Sequence, residues 1–212
     1  MITKFMSKYL PLLPILMTAA SGTLWAQSNE IWFNGGASIL ENTNIGSPNA
    51  DGASGDVHLG SGFRFGVRFD FNSTGHIGHE FQYAYNRTYF TDSTGMILPD
   101  PGTKGMAIHQ FGYNVLYYVR PHKEDIKVRP FVTAGFHLND FALPRAAMMT
   151  GGSVRPGGNV GAGFKAKLSP LFGFRFDVRQ YITTKPNWNN MLFNQKGPLS
   201  QTEVSAGIGV YF

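Results

Sequence analysis

From position 171 to 182 the chain reads Leu-Phe-Gly-Phe-Arg-Phe-Asp-Val-Arg-Gln-Tyr-Ile. Phe172, Phe174, Phe176 and Val178 share one parity; Gly173, Arg175, Asp177 and Arg179 share the other. Successive strand side chains point to opposite faces, so this is a β-strand with one greasy and one charged face. A helix would smear Arg175 and Asp177 across its apolar side. Such a strand suits a soluble sandwich, with the phenylalanines in a core. It equally suits a membrane barrel, with the phenylalanines in lipid and the charges in a closed lumen.

Seven further segments repeat the pattern. They start near Ile31, Val57, Ile77, Gln110, Val128, Asn159 and Thr202. In the second, Val57, Leu59, Phe63, Phe65, Val67, Phe69 and Phe71 oppose Gly60, Gly62, Arg64, Gly66, Arg68 and Asp70. Short connections at 72–75, 121–127 and 169–170 alternate with long ones at 40–56, 91–105, 139–158 and 183–200. The connections are rich in Gly, Pro, Asn, Asp and Ser, the turn and loop formers. Tight turns at one end and long loops at the other is the asymmetry of outer-membrane barrels. An even strand count then leaves both termini on the short-turn side.

Composition agrees with a barrel. Charged residues are 15%, aromatics 14%, glycines number 26, and there is no cysteine. Without cysteine there is no disulfide framework, thiolate metal site or cysteine nucleophile. Residues 1–26 read as a secretory signal peptide. Lys4 and Lys8 form the basic part, residues 9–20 the apolar part, and Ala26 precedes the cut. The apolar run holds Pro11 and Pro14 and falls short of the roughly 20 residues a spanning helix needs. Its removal takes Lys4 and Lys8 and lowers the net charge from +5 to +3, too small an excess to argue for nucleic acid. Residues 27–212 are then one domain.

The charged parity separates sandwich from barrel. Its central positions collect Arg64, Arg68, Glu80, Arg175, Asp177, Arg179 and Glu203. In a lumen these must pair, because an uncompensated buried charge costs several kcal/mol. Arg175, Asp177 and Arg179 leave a positive excess, which Glu203 on the neighbouring strand is the first candidate to offset and Glu80 the second. The apolar parity is aromatic and almost free of charge. Its exceptions, His79, Arg87 and His109, are expected near strand ends at headgroup level. A lipocalin-like soluble barrel would need the reverse pattern, apolar inside and polar outside.

The chain ends Ser205-Ala-Gly207-Ile-Gly-Val210-Tyr-Phe212. Ser205, Gly207, Val210 and Phe212 match the constrained positions of the C-terminal assembly signal of bacterial outer-membrane proteins. From about Glu30 to Phe212 the chain resembles the eight-stranded OmpA/OmpX-type barrel family. The resemblance implies an all-β, eight-stranded, antiparallel up-and-down transmembrane barrel with a packed polar lumen. It also implies insertion by the barrel assembly machinery. With no peptidoglycan-binding domain after Phe212, that role of larger family members is not expected.

A monomer in outer-membrane lipid and lipopolysaccharide, without a cofactor or metal, is the expectation. Lipid-modifying chemistry would need Ser, His and Asp together. The lumen side near the long loops offers Ser38, Asp56, His58, His137 and Asp140, but no Gly-x-Ser-x-Gly or His-Glu-x-x-His motif occurs. An eight-stranded barrel leaves little room for conduction, so a structural or surface-binding role through the long loops is expected, with a small gated pore or a lipid-modifying enzyme as the alternative. Loops carry function on rigid scaffolds. Arg145, Arg155, Lys185 and Lys196 are the candidates for contacting anionic headgroups or a surface partner.

Overall fold

A computed structural model describes residues 28–73, 75–121, 126–148 and 151–212. The leader of residues 1–26 lies outside them. Eight long strands form the sheet: β1 (Ser28–Glu41), β3 (Val57–Asn72), β4 (Ile77–Asp92), β5 (Gly102–Tyr118), β6 (Val128–Ala142), β7 (Gly152–Lys167), β8 (Phe172–Thr183) and β9 (Leu199–Tyr211). A three-residue strand, β2 (Asn44–Gly46), adds to β3. Each long strand pairs antiparallel with its sequence neighbour, and β1 pairs with both β9 and β3, so the sheet closes. A row of register partners runs from Phe63 through Ala37, Val204, Val178, Ala162, Val132 and Tyr117 to Ile77. It returns to β3 at Ser73, whose N–H donates to the Ile77 carbonyl, ten residues from where it began. That stagger tilts the strands by roughly 40°.

The outward apolar residues form a belt. It covers 31–39 on β1, 63–71 on β3, 77–85 on β4, 111–119 through β5 and 204–212 through β9. Each stretch is nine residues, the length a tilted strand needs to cross a bilayer. Phe33, Phe65, Phe111, Phe136 and Ile208 are all more than half exposed on this face.

The strands are longer than the belt. They continue towards the long connections and shorten them to 42–56, 93–101, 143–151 and 184–198. Arg155, expected in a loop, therefore lies on β7. At the other end β5 stops at Tyr118, and Arg120 is exposed in the bend that follows.

Beyond the belt the interior changes character. Leu40, Phe90, Met106, Ile108, Phe141 and Leu199 point inward and pack with Ile45 of β2, Ile97 and Leu98 of the second long loop, and Trp188 and Leu192 of the fourth. Leu143 and Ala147 of the third loop pack against them. Val57 and Leu59 belong to this buried core and not to the lipid face where uninterrupted alternation on β3 puts them. A bulge between Gly60 and Phe63 shifts the register there and inverts the parity. Gly60 turns outward beneath Tyr89. The physical reason is the change of solvent: above the bilayer an apolar side chain belongs inside.

Candidate functional site

The bore at belt level is filled by charge. Alternation on β3, β4, β8 and β9 turns Arg64, Arg68, Glu80, Arg175, Asp177, Arg179 and Glu203 inward, and all are buried. Glu30 on β1, Asp70 on β3 and Lys165 on β7 join them, giving, among the described residues, five acids and five bases in these ion pairs. Asp70 and Lys165 share the inward parity on their strands, but they lie nearer the short-turn end.

The pairs run along the bore. At the short-turn end Lys165 Nζ bridges Glu30 and Asp70, 2.5 Å from Asp70 Oδ2, and donates to Tyr118 Oη at 2.6 Å. Glu30 also accepts from Trp32 Nε1 and Asn72 Nδ2, both at 2.7 Å. Arg175 reaches Asp70 at 2.8 Å, Glu80 at 2.6 Å and Asp177 at 2.7 Å. Arg179 pairs with Glu80 at 2.7 Å and Asp177 at 2.9 Å. Arg68 links Asp177 (2.8 Å) to Glu203 (2.6 Å), and Arg64 meets Glu203 at 3.1 Å. Beyond Arg64 the chain becomes neutral: Arg64 donates to Gln110, Gln110 to Asn139, and Asn139 to Thr183. The apolar core begins next.

Glu80 thus takes the partner role on Arg179 that strand adjacency assigns first to Glu203. An arginine is longer than the distance between neighbouring strands, so in a narrow bore its guanidinium overshoots the adjacent residue and lands on the far wall. Gly161, the register partner of Arg179 on β7, makes room: a Cβ there would sit 2.6 Å from Arg179 Cγ.

The Ser, His and Asp residues near the long loops each bond or pair with other groups and not with one another among the described residues. Ser38 Oγ accepts from Gln201, Asp56 accepts from Ser47, and His137 Nε2 contacts Thr183 Oγ1 at 2.7 Å. His58 stands at the top of β3, paired in register with Asn44 of β2. Asp140, expected on the lumen side, lies on the outward parity of β6 opposite His109. Each of the bore's five acids faces at least one cation within 3 Å. Carboxylates held this way are structural partners and poor proton carriers.

The basic loop residues divide. Arg145 and Lys196 are exposed. Lys185 is buried and donates to Asn42 Oδ1, the Asn44 carbonyl and the Lys196 carbonyl, tying the fourth loop to the first. Burial holds its ammonium below the ordinary lysine range. Arg155 bonds Ser153 Oγ and the Asn187 carbonyl. The first and fourth loops also exchange backbone hydrogen bonds between Ser47 and Phe193, and Gln195 donates to the Ile45 carbonyl.

At the C-terminus Phe212 is two-thirds exposed on the lipid side, and its backbone exchanges hydrogen bonds with Asn29. Val210 faces outward, and Ser205 Oγ donates to Glu203 at 2.6 Å. Gly207 faces inward against Asn34, where a Cβ would fall 2.3 Å from Asn34 Oδ1.

The family model for the outer membrane protein beta-barrel domain matches residues 12–212. No curated protein shows significant sequence similarity to the chain. Among solved structures the chain is similar to Pseudomonas aeruginosa OprG, at 15% identity over 88% of this chain and 97% of that one, TM-score 0.56. It is also similar to the N-terminal β-barrel domain of P. aeruginosa OprF (14%, 87% and 97%, TM-score 0.53). Neisserial surface protein A follows (15%, 87% and 97%, TM-score 0.52). At such identities the likeness speaks for the fold, and the family match over nearly the whole chain carries the assignment: the chain belongs to the outer membrane protein beta-barrel domain family.

Proposed function

We propose that this protein is a sealed integral barrel of the bacterial outer membrane that acts through the rigid surface its long loops build. It does not act by conducting solutes or by catalysis. The observation that carries this reading is the bore, filled twice. Paired charges occupy the bilayer half, and an apolar core to which all four long loops contribute occupies the projecting half. A packed apolar core excludes water, and an ion crossing the lower half would have to displace a matched counter-charge. Export by residues 1–26, insertion through the signal at Ser205, Gly207, Val210 and Phe212, and a monomer in the membrane belong to the same reading.

Planar-bilayer recording on the folded barrel tests it. The expected trace shows no steady open state. Large, sustained conductance would replace this reading with a pore. A change in phospholipid or lipid A acylation that disappears in His137→Ala would replace it with a lipid-modifying enzyme.

A further inference from the structure

The belt has a sharp upper edge. The first polar outward residue beyond it is Glu41 on β1, Arg87 on β4, His109 on β5, Asp140 on β6, Gln180 on β8 and Thr202 on β9. Most of these have partners or weak charge. Gln180 bonds Ser200 and Thr202, Glu41 accepts from Ser200, and His109 Nδ1 contacts Tyr83 Oη at 2.9 Å. Arg87 differs. It is an exposed, full positive charge with no hydrogen bond or ion pair among the described residues.

Its position is nonetheless built. Arg87 follows Tyr85, the last belt residue of β4, and sits beside Phe63 of β3 in register. Its guanidinium lies against Gly105 of β5, where a Cβ would fall 2.1 Å from Arg87 Nη2. Tyr89, just above it, is half exposed on the same face. An arginine free to extend into water would not need a bare backbone beneath it. This one is laid along the barrel wall at the level where hydrocarbon gives way to headgroups. The acids of the ring, Asp140 on β6 and Glu41 on β1, each stand two strands away, and neither forms an ion pair with it among the described residues.

We infer that Arg87 and Gly105 form a site for the phosphate group of an outer-leaflet lipid. A guanidinium offers paired donors that match phosphate oxygens bidentately, and the flanking tyrosines suit the interface. The inference rests on the outer-membrane reading, which orients the long-loop end towards the outer leaflet.

The test uses the folded barrel in nanodiscs of zwitterionic lipid doped with lipid A, with retained lipids counted by native mass spectrometry. Heat-modifiable migration is checked first, so failure of the barrel reading shows separately. Wild type should retain lipid A over its dephosphorylated form. Arg87→Gln should cut that preference about tenfold, the worth of one charge-assisted contact. Gly105→Ala should weaken it while keeping the charge. Equal retention by Arg87→Gln and wild type would overturn the site. So would equal retention of dephosphorylated lipid A. Competition by millimolar inorganic phosphate would assign the site to free phosphate and overturn the lipid reading.

Discussion

Arg179 and Glu203 are register partners on β8 and β9, yet Arg179 spends its guanidinium on Glu80, which projects from β4 across the bore. Glu203 instead receives Arg64 and Arg68 from β3. Adjacency in the sheet and pairing in the bore are therefore different graphs. Double-mutant cycles on reversible unfolding in lipid should separate them. Arg179 and Glu80 should couple by about 1–3 kcal/mol, and Arg179 with Glu203 by much less. Glu80→Gln alone should cost about 3–5 kcal/mol, because it leaves one positive charge of the buried network uncompensated. A larger coupling to Glu203 than to Glu80 would refute the cross-bore arrangement.

Asp92 organises the second long loop from a position seven residues past the belt. Its carboxylate accepts from Thr94 N–H and Oγ, from Ile97 N–H at 2.8 Å and from Leu98 N–H at 2.9 Å. Burial pushes its pKa up, but these hydrogen bonds outweigh burial and hold it below the usual carboxylate value of 3.8. A depressed folded value contributes stability that is present above the unfolded pKa and is lost as pH falls through the folded one. Protection of the Ile97 and Leu98 amides, relative to their intrinsic exchange at each pH, should fall as pH drops below about 4. Asp92→Asn should loosen the loop by about 1–3 kcal/mol and abolish the pH dependence. Pronounced acid loosening that persists in Asp92→Asn would assign the effect to another group.

Trp188 anchors the cap: its indole donates to the Phe141 carbonyl at 2.9 Å and meets Phe90 edge-on. Trp188→Ala should cost about 3–5 kcal/mol locally. Limited proteolysis should then cut the long loops faster while heat-modifiable migration of the barrel persists. Conductance should stay absent, because the ion pairs below remain. A steady current in Trp188→Ala would show that the cap alone seals the bore.

Gly207 and Phe212 belong to one terminal motif but differ in the finished barrel. Phe212→Ala should lower the amount assembled in the outer membrane and leave the unfolding midpoint of folded protein within about 0.5 kcal/mol. Gly207→Ala should lower both, since its methyl would collide with Asn34. Similar losses of stability in the two variants would tie Phe212 to architecture and not to assembly.

Strand number, direction and the inward charges were legible because lipid outside and polarity inside enforce a two-residue period. The projecting half was not. There the outer solvent is water, so the apolar side chains move inside. Val57 and Leu59 kept the parity of Phe63 in the sequence while a bulge reversed it in space. Ile45, Ile97 and Trp188 sit in segments whose Gly, Asn and Pro content reads as exposed loop, and their burial depends on all four loops meeting. Glu30 and Lys165 were hidden for another reason. Nothing in a strand's own pattern says which far strand its charge will face.

The ten paired charges also bear on the order of assembly. Glu30, Arg64, Arg68, Asp70 and Glu80 come from the first half of the chain and sum to −1; Lys165, Arg175, Asp177, Arg179 and Glu203 come from the second and sum to +1. Neither half neutralises itself. A partly built sheet placed in hydrocarbon would expose unmatched charges as well as open edges, each costing several kcal/mol. Joining β1 to both β3 and β9 and cancelling the charges are therefore one event, and the seam between the chain's two ends sets the moment at which the barrel tolerates the bilayer.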